Sequence, residues 1–126
     1  MPYRVIIDEK QDYIRVEISG TRTPGKEAID AISVWSQVAK ICREKGISRV
    51  LGIISLDGRL PTMASFNIAK SPDEFGWRRN IKLACVDLNE KSRQDNLFTE
   101  DVAVNRGYKV KIFDNEPDAK AWLLEP

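Results

Sequence analysis

Histidine is absent from the 126 residues of this chain. Its absence removes Ser-His-Asp triads, Cys-His pairs and every His-bearing zinc site. Cysteine is scarce: Cys42 and Cys85 are the two present, too few for an all-thiolate zinc site within one chain. They lie far apart in apolar surroundings, which reads as buried free thiols in a reducing cytosol rather than a disulfide or a reactive pair. An excess of one charge is also missing. Twenty basic residues face 19 acidic ones, a net charge of +1, so no global field recruits nucleic acid or anionic membrane. No basic stripe interleaved with aromatics supports nucleic-acid binding. No apolar run approaches the roughly 18 residues of a membrane span. The opening MPYRVIIDEKQDY turns charged too soon for a secretory signal. The expectation is one cytoplasmic domain with no integral membrane segment, peripheral membrane contact being left open. Only carboxylate, Lys, Tyr or Cys chemistry remains, and no cofactor or metal is expected.

What is there is regular. Tyr3–Asp8 is β-rich, and Tyr13–Gly20 alternates Ile14, Val16 and Ile18 against Tyr13, Arg15, Glu17 and Ser19. Two such runs around a polar turn predict an opening antiparallel hairpin. Thr23 as N-cap and Pro24 in the first turn predict a helix running to Lys45, closed by Gly46. Its apolar stripe is Ala28, Ala31, Ile32, Trp35, Val38, Ala39 and Cys42, widened by Ile29, Val34 and Ile41. Ser48–Ser55 is a near-continuous apolar run, the pattern of a central strand covered on both faces. A short helix from Pro61 to about Ala69, facing Met63 and Phe66 inward, precedes an irregular link, Ser71–Trp77. Asn80–Asp87 reads as a strand. Arg93–Arg106 reads as a helix with Leu97, Phe98, Val102 and Val104 as apolar members, ended by Gly107. Tyr108–Asp114 reads as an edge strand with lysines outward. Asn115 caps a last helix that faces Ala119, Trp122 and Leu123 inward.

The order β-β-α-β-α-β-α-β-α predicts an α/β fold. A mixed sheet of about five strands would carry about four helices, its N-terminal strand antiparallel to the rest. With the segment TEDVAVNRGYKVKIFDNEPDAKAWL (Thr99–Leu123), this order resembles the SpoIIAA-like branch of the STAS superfamily, domains named for sulfate transporters and anti-sigma-factor antagonists. The likeness spans nearly the whole chain in topology. In residues it concentrates in Asn105–Gly107, Phe113, Ala119 and Ala121-Trp122-Leu123. It implies a curved mixed sheet with helices mainly on one side, and more distantly the chain resembles the lipid-carrying CRAL-TRIO domains. The resemblance implies binding of proteins, nucleotides or small apolar ligands rather than a reaction.

In the antagonists of that superfamily a phosphorylatable Ser or Thr follows an Asp where the helix after the central strand begins. The corresponding stretch here is SLDGRLPTMASF (Ser55–Phe66), where Asp57-Gly58-Arg59 stands in place of that pattern and Thr62 and Ser65 are displaced into the helix. The phosphosite is therefore not carried over. Asp57-Gly58 suits a turn and Pro61 a helix start, while helix N–H groups beside Arg59 suit an anion. Gly76–Asn80 (GWRRN) is either an anion- or protein-docking patch or a Trp over the core edge with solvated arginines. Asn105-Arg106-Gly107 obeys helix-ending rules. The carboxylates Asp57, Asp87, Asp95, Glu100 and Asp101 invite an acid-base or metal reading; Asp57 and Asp87 fall just past strand ends, where α/β sheets place ligands, but two carboxylates make a weak metal signal. Trp35 and Trp122, with Ile29, Val34 and Ile41, line either a core or an apolar cavity, or serve a dimer.

The leading expectation is a non-catalytic regulatory domain that docks a protein partner or a second copy of itself. Its surface would be Asp57, Arg59, Thr62 and Ser65, with Trp77 and Arg78 as a neighbouring patch. The alternative is a carrier or sensor of a small apolar ligand such as a fatty acid. An enzyme would need a cleft holding a strongly perturbed carboxylate or lysine.

Overall fold

The computed structural model describes residues 3–126; Met1 and Pro2, which entered the reading of the N-terminus, lie outside them. Among the described residues a single sheet runs in the order β1 (Tyr3–Glu9), β2 (Ile14–Thr21), β3 (Arg49–Asp57), β4 (Lys82–Asp87) and β5 (Lys109–Phe113). β1 pairs antiparallel with β2, and β2 through β5 are parallel to one another. The helices are α1 (Glu27–Lys45), α2 (Thr62–Ala69), α3 (Glu90–Asn105) and α4 (Glu116–Leu123).

Strand order equals chain order, so three successive right-handed crossovers step the same way and put α1, α2 and α3 on one face. Strand parity shows it. Val16, Val50, Ile54, Leu83 and Cys85 share a core with Val34, Val38, Ala39, Val102 and Ala103. The intervening residues Leu51, Ile53, Ala84 and Val86 face the other way and meet Ala119 and Leu123 of α4. β3 and β4 read as unbroken apolar runs because both their faces are covered. On β5, Val110 and Ile112 pack against the main core while Phe113 turns to α4, its ring 5.8 Å from that of Trp122. The second face is further tied by Arg15, which donates two 2.9 Å hydrogen bonds to the Glu116 carboxylate and holds that carboxyl below its ordinary value.

Two helix starts differ from expectation. α1 begins at Glu27, not at Thr23–Pro24. Gly25 takes φ 86°, outside the helical region, and Lys26 N–H donates to Thr23 O at 2.9 Å, so a separate turn precedes the helix. α3 begins at Glu90, ahead of Arg93, because Asn89 caps it by accepting from Lys91 N–H at 3.1 Å. Its first turn is polar and lacks the apolar spacing that marks a helix. Met63, expected inward, is 65% exposed, and Leu97, Phe98 and Val104 are exposed as well. The expected endings hold: Gly46 closes α1 at φ 67°, and Asn115 caps α4 by accepting from Asp118 N–H at 2.9 Å.

Candidate functional site

The C-terminal ends of β2, β3 and β4 meet in a buried polar cluster. Hydrophobic strands carry it there: Asp87 has the same parity as Leu83 and Cys85, so its side chain enters the α1–α3 side as β4 ends. Asp87 is fully buried. One carboxylate oxygen accepts from Asn89 N–H at 3.0 Å; the other accepts from Ser92 Oγ–H at 2.7 Å and Asn96 Nδ2–H at 2.8 Å. Arg22, 7% exposed, stands with Nη2 3.9 Å from that second oxygen and donates from Nη1 to Gly58 O at 2.9 Å. A buried charge needs this many partners to be tolerated.

The same groups hold the β3–α2 loop. Asn89 Nδ2–H donates to Leu56 O at 3.0 Å, and Arg22 N–H to Asp57 O at 2.9 Å. From α3, the Asp95 carboxylate accepts two bonds from the Arg59 guanidinium, at 2.8 and 2.7 Å, and one from Leu60 N–H at 2.9 Å. An internal carboxylate thus satisfies a backbone donor where the loop enters α2. Gly58, at φ 97°, makes the bend; a Cβ there would lie 3.4 Å from the Arg22 side chain in a conformation that L residues rarely adopt. The bonds fix the backbone and leave Asp57, Arg59, Pro61, Thr62 and Met63 exposed at the tip.

The residues expected at the site part company here. Asp57, Arg59 and Thr62 come together at the tip. Ser65 does not: it is 0% exposed, with its Oγ buried and unpartnered, so it presents nothing to a partner. It shares the buried face of α2 with Ile68 and Ala69, three and four residues on. Trp77 is 3% exposed and packs edge to face on Trp35, ring centroids 5.7 Å apart, which makes it core. Arg78 is exposed, but it precedes β4 while the loop follows β3. In parallel strands those points are opposite ends of the sheet, so no neighbouring patch forms. Trp35 and Trp122 likewise lie on opposite faces and share no cavity. The pairing of Asp57 with Asp87 also fails, one carboxylate being exposed and the other buried and fully engaged. Among the described residues no group of three or more His, Cys, Asp or Glu could hold a metal ion. Burial pushes the Cys42 thiol up to about 11 and the Cys85 thiol higher still, so neither is a ready thiolate. No helix among the described residues is long and apolar enough to cross a membrane. Arg22, Asn89, Ser92 and Asn96 are the residues that sequence reasoning missed, while Asp95, one of the carboxylates considered for acid-base or metal chemistry, instead clamps Arg59 and Leu60; Asn89 alone carried a local signal, as an Asx residue ahead of an acidic helix turn.

Asp95 gives a pH prediction. The Arg59 bonds hold its carboxyl below the ordinary 3.8, against an opposing push from partial burial, and Leu60 N–H adds to the lowering. A depressed folded value contributes stability above the unfolded value and loses it as pH falls through the folded one. The gap in urea midpoint between the native protein and Asp95→Asn is therefore expected to be full at pH 7 and to close below the ordinary carboxylate range. A gap independent of pH would assign the effect to shape rather than charge.

No family model matches the chain, and no curated protein sequence does. Among solved structures it is similar to an anti-sigma factor antagonist from Mycobacterium paratuberculosis, with a TM-score of 0.60 and 9% sequence identity, over 98% of this chain and 95% of that one. At that identity the likeness speaks for the fold, and over nearly the full length of both chains it does so consistently with the strand order and crossovers described above. The chain therefore has the STAS-like, SpoIIAA-type fold of an anti-sigma factor antagonist.

Proposed function

We propose that the chain is a non-catalytic regulatory module that docks a protein partner through the β3–α2 tip. The observation that carries this reading is the tip itself. Arg22, Asn89 and Asp95 hold its backbone from three sides, while Asp57, Arg59, Thr62 and Met63 project from it. A loop ordered before binding loses little entropy when a partner arrives. Met63, an adaptable apolar side chain left exposed beside charged residues, matches the make-up of a binding surface. The similar anti-sigma factor antagonist is, by its name, a protein that counters another protein, and we carry over only that kind of partner.

The test is capture of partners on the tagged protein against Met63→Asp and Thr62→Ala. Both positions are exposed, so thermal midpoints should stay within a few degrees of the parent. Met63→Asp should reduce the specifically captured partner at least about tenfold, a loss of roughly 1.4 kcal/mol or more at a binding anchor. Undiminished capture by both variants would place docking elsewhere.

A further inference from the structure

A cavity of about 90 Å³ lies between the sheet and the layer of α1, α2 and α3. Its walls are mainly apolar, with Trp35, Trp77, Leu83 and Tyr108 among them, and Arg22 and Thr99 form part of its polar lining. One polar atom there is left unsatisfied. Thr99 Oγ1 is buried without a hydrogen-bond partner. The Arg22 side chain, 5% exposed, also lines the cavity and makes one side-chain hydrogen bond among the described residues, from Nη1 to Gly58 O. Native interiors rarely leave such groups unpaired, and an apolar pocket with a few convergent polar groups has the make-up of a small-molecule site. Glu27 and Thr99 on the wall are half-buried, so the cavity approaches the surface beside them.

We propose that this cavity binds a compact, uncharged molecule with an apolar body and one carbonyl-type acceptor, the acceptor taking the unpaired hydroxyl of Thr99 beside the Arg22 guanidinium. The head is uncharged because the Arg22 charge already faces Asp87, and Glu27 adds a second carboxylate to the surroundings. A carboxylate head would leave negative charge buried and uncompensated. A head with no acceptor would leave the Thr99 hydroxyl unpaired. Size sets a second limit: a dry cavity of about 150 Å³ takes up benzene, so 90 Å³ admits a small ring only with slight yielding of the walls. A long acyl chain would require the helices to part. The site is independent of the docking reading, since ligand binding can be followed with no partner present.

The experiment follows amide resonances of the intact chain during titration with cyclopentanone and cyclopentanecarboxylate to about 10 mM, and with cyclopentane to its solubility limit, a range that reveals dissociation constants near 1 mM. Cyclopentanone should give saturable shifts at Arg22, Gly58, Thr99 and Ala103, and bind about fivefold or more tightly than either of the others, the yield of one good hydrogen bond. Ala31→Leu, on the cavity wall, should abolish those shifts. Should that variant fail to fold, Arg22→Lys keeps the charge and should remove the preference for the ketone over the hydrocarbon. The proposal is overturned by the absence of saturable shifts at these residues with all three probes, by equal or stronger binding of the carboxylate, or by an undiminished ketone preference in Arg22→Lys.

Discussion

Replacing Asp87 with Ala is expected to destabilise the protein by about 3–5 kcal/mol, the range for removing one member of a buried, hydrogen-bonded charge pair. The side chain is fully buried, and its loss strands the Ser92 hydroxyl, the Asn96 amide, Asn89 N–H and the Arg22 guanidinium together. Ser92, Asn96 and Arg22 are buried, so donors deprived of the carboxylate bear the cost of an unsatisfied interior group, Arg22 keeping only its bond to Gly58 O. Because a typical domain has about 5–15 kcal/mol in all, much of the folded population would be at risk near 37 °C. Urea denaturation followed by circular dichroism reads the effect directly. Asp87→Asn, which keeps the size and one acceptor, should fall between the two. A loss under about 1 kcal/mol in Asp87→Ala would mean that the cluster is hydrated and ordinary, since surface substitutions stay within about 0.5 kcal/mol.

Trp77→Ala should destabilise by a similar amount, about 3–5 kcal/mol, as large aromatic truncations in a core do. The ring lies in the main core against Trp35, and removing it opens space next to an existing cavity rather than at the surface. Arg78→Ala, one residue along, should change stability by about 0.5 kcal/mol at most. Two neighbours that look like one patch in the sequence are thus separated by a single comparison of unfolding midpoints. Equal, small effects at both positions would return Trp77 to the surface.

Those two positions also show where the sequence is readable and where it is not. The strands are legible because burial on one or both faces writes period-2 or continuous apolar runs, as in Ile14–Ile18 and Val50–Ile54. α1 is legible from its stripe, and Asn115 and Gly46 mark helix ends through local chemistry. The order of elements then restricts topology, since parallel strands joined by helices cross over with one hand. The site is less legible because its parts are distant in sequence. Arg22 meets Gly58, and Asp95 meets Arg59 and Leu60, through contacts between residues some 35 positions apart, with no local pattern to announce them. Parity alone would have turned Asp87 inward with Leu83 and Cys85, but a charged residue at a strand end reads as solvent-facing. For Ser65 and Met63, the short helix α2 carries too few turns for its spacing to fix which side is buried. Gly52 is a case where the residue type makes sense only in three dimensions: a Cβ there would come within 2.9 Å of the Trp35 ring.

In the proposed reading, the anchored tip connects this architecture to docking. The buried cluster spends polar groups on a loop backbone rather than on a reactive centre. Its exposed side chains, not its buried ones, are what a partner would meet. The most direct measurement is site-specific photo-crosslinking in the protein's own cells, with a photoreactive residue replacing Thr62 or Met63 at the tip and, as a control, Lys120 on α4, which lies on the far face of the sheet. The account predicts a discrete protein adduct from both tip positions and none from the control. Adducts that are absent at the tip, or equally strong from Lys120, would contradict it.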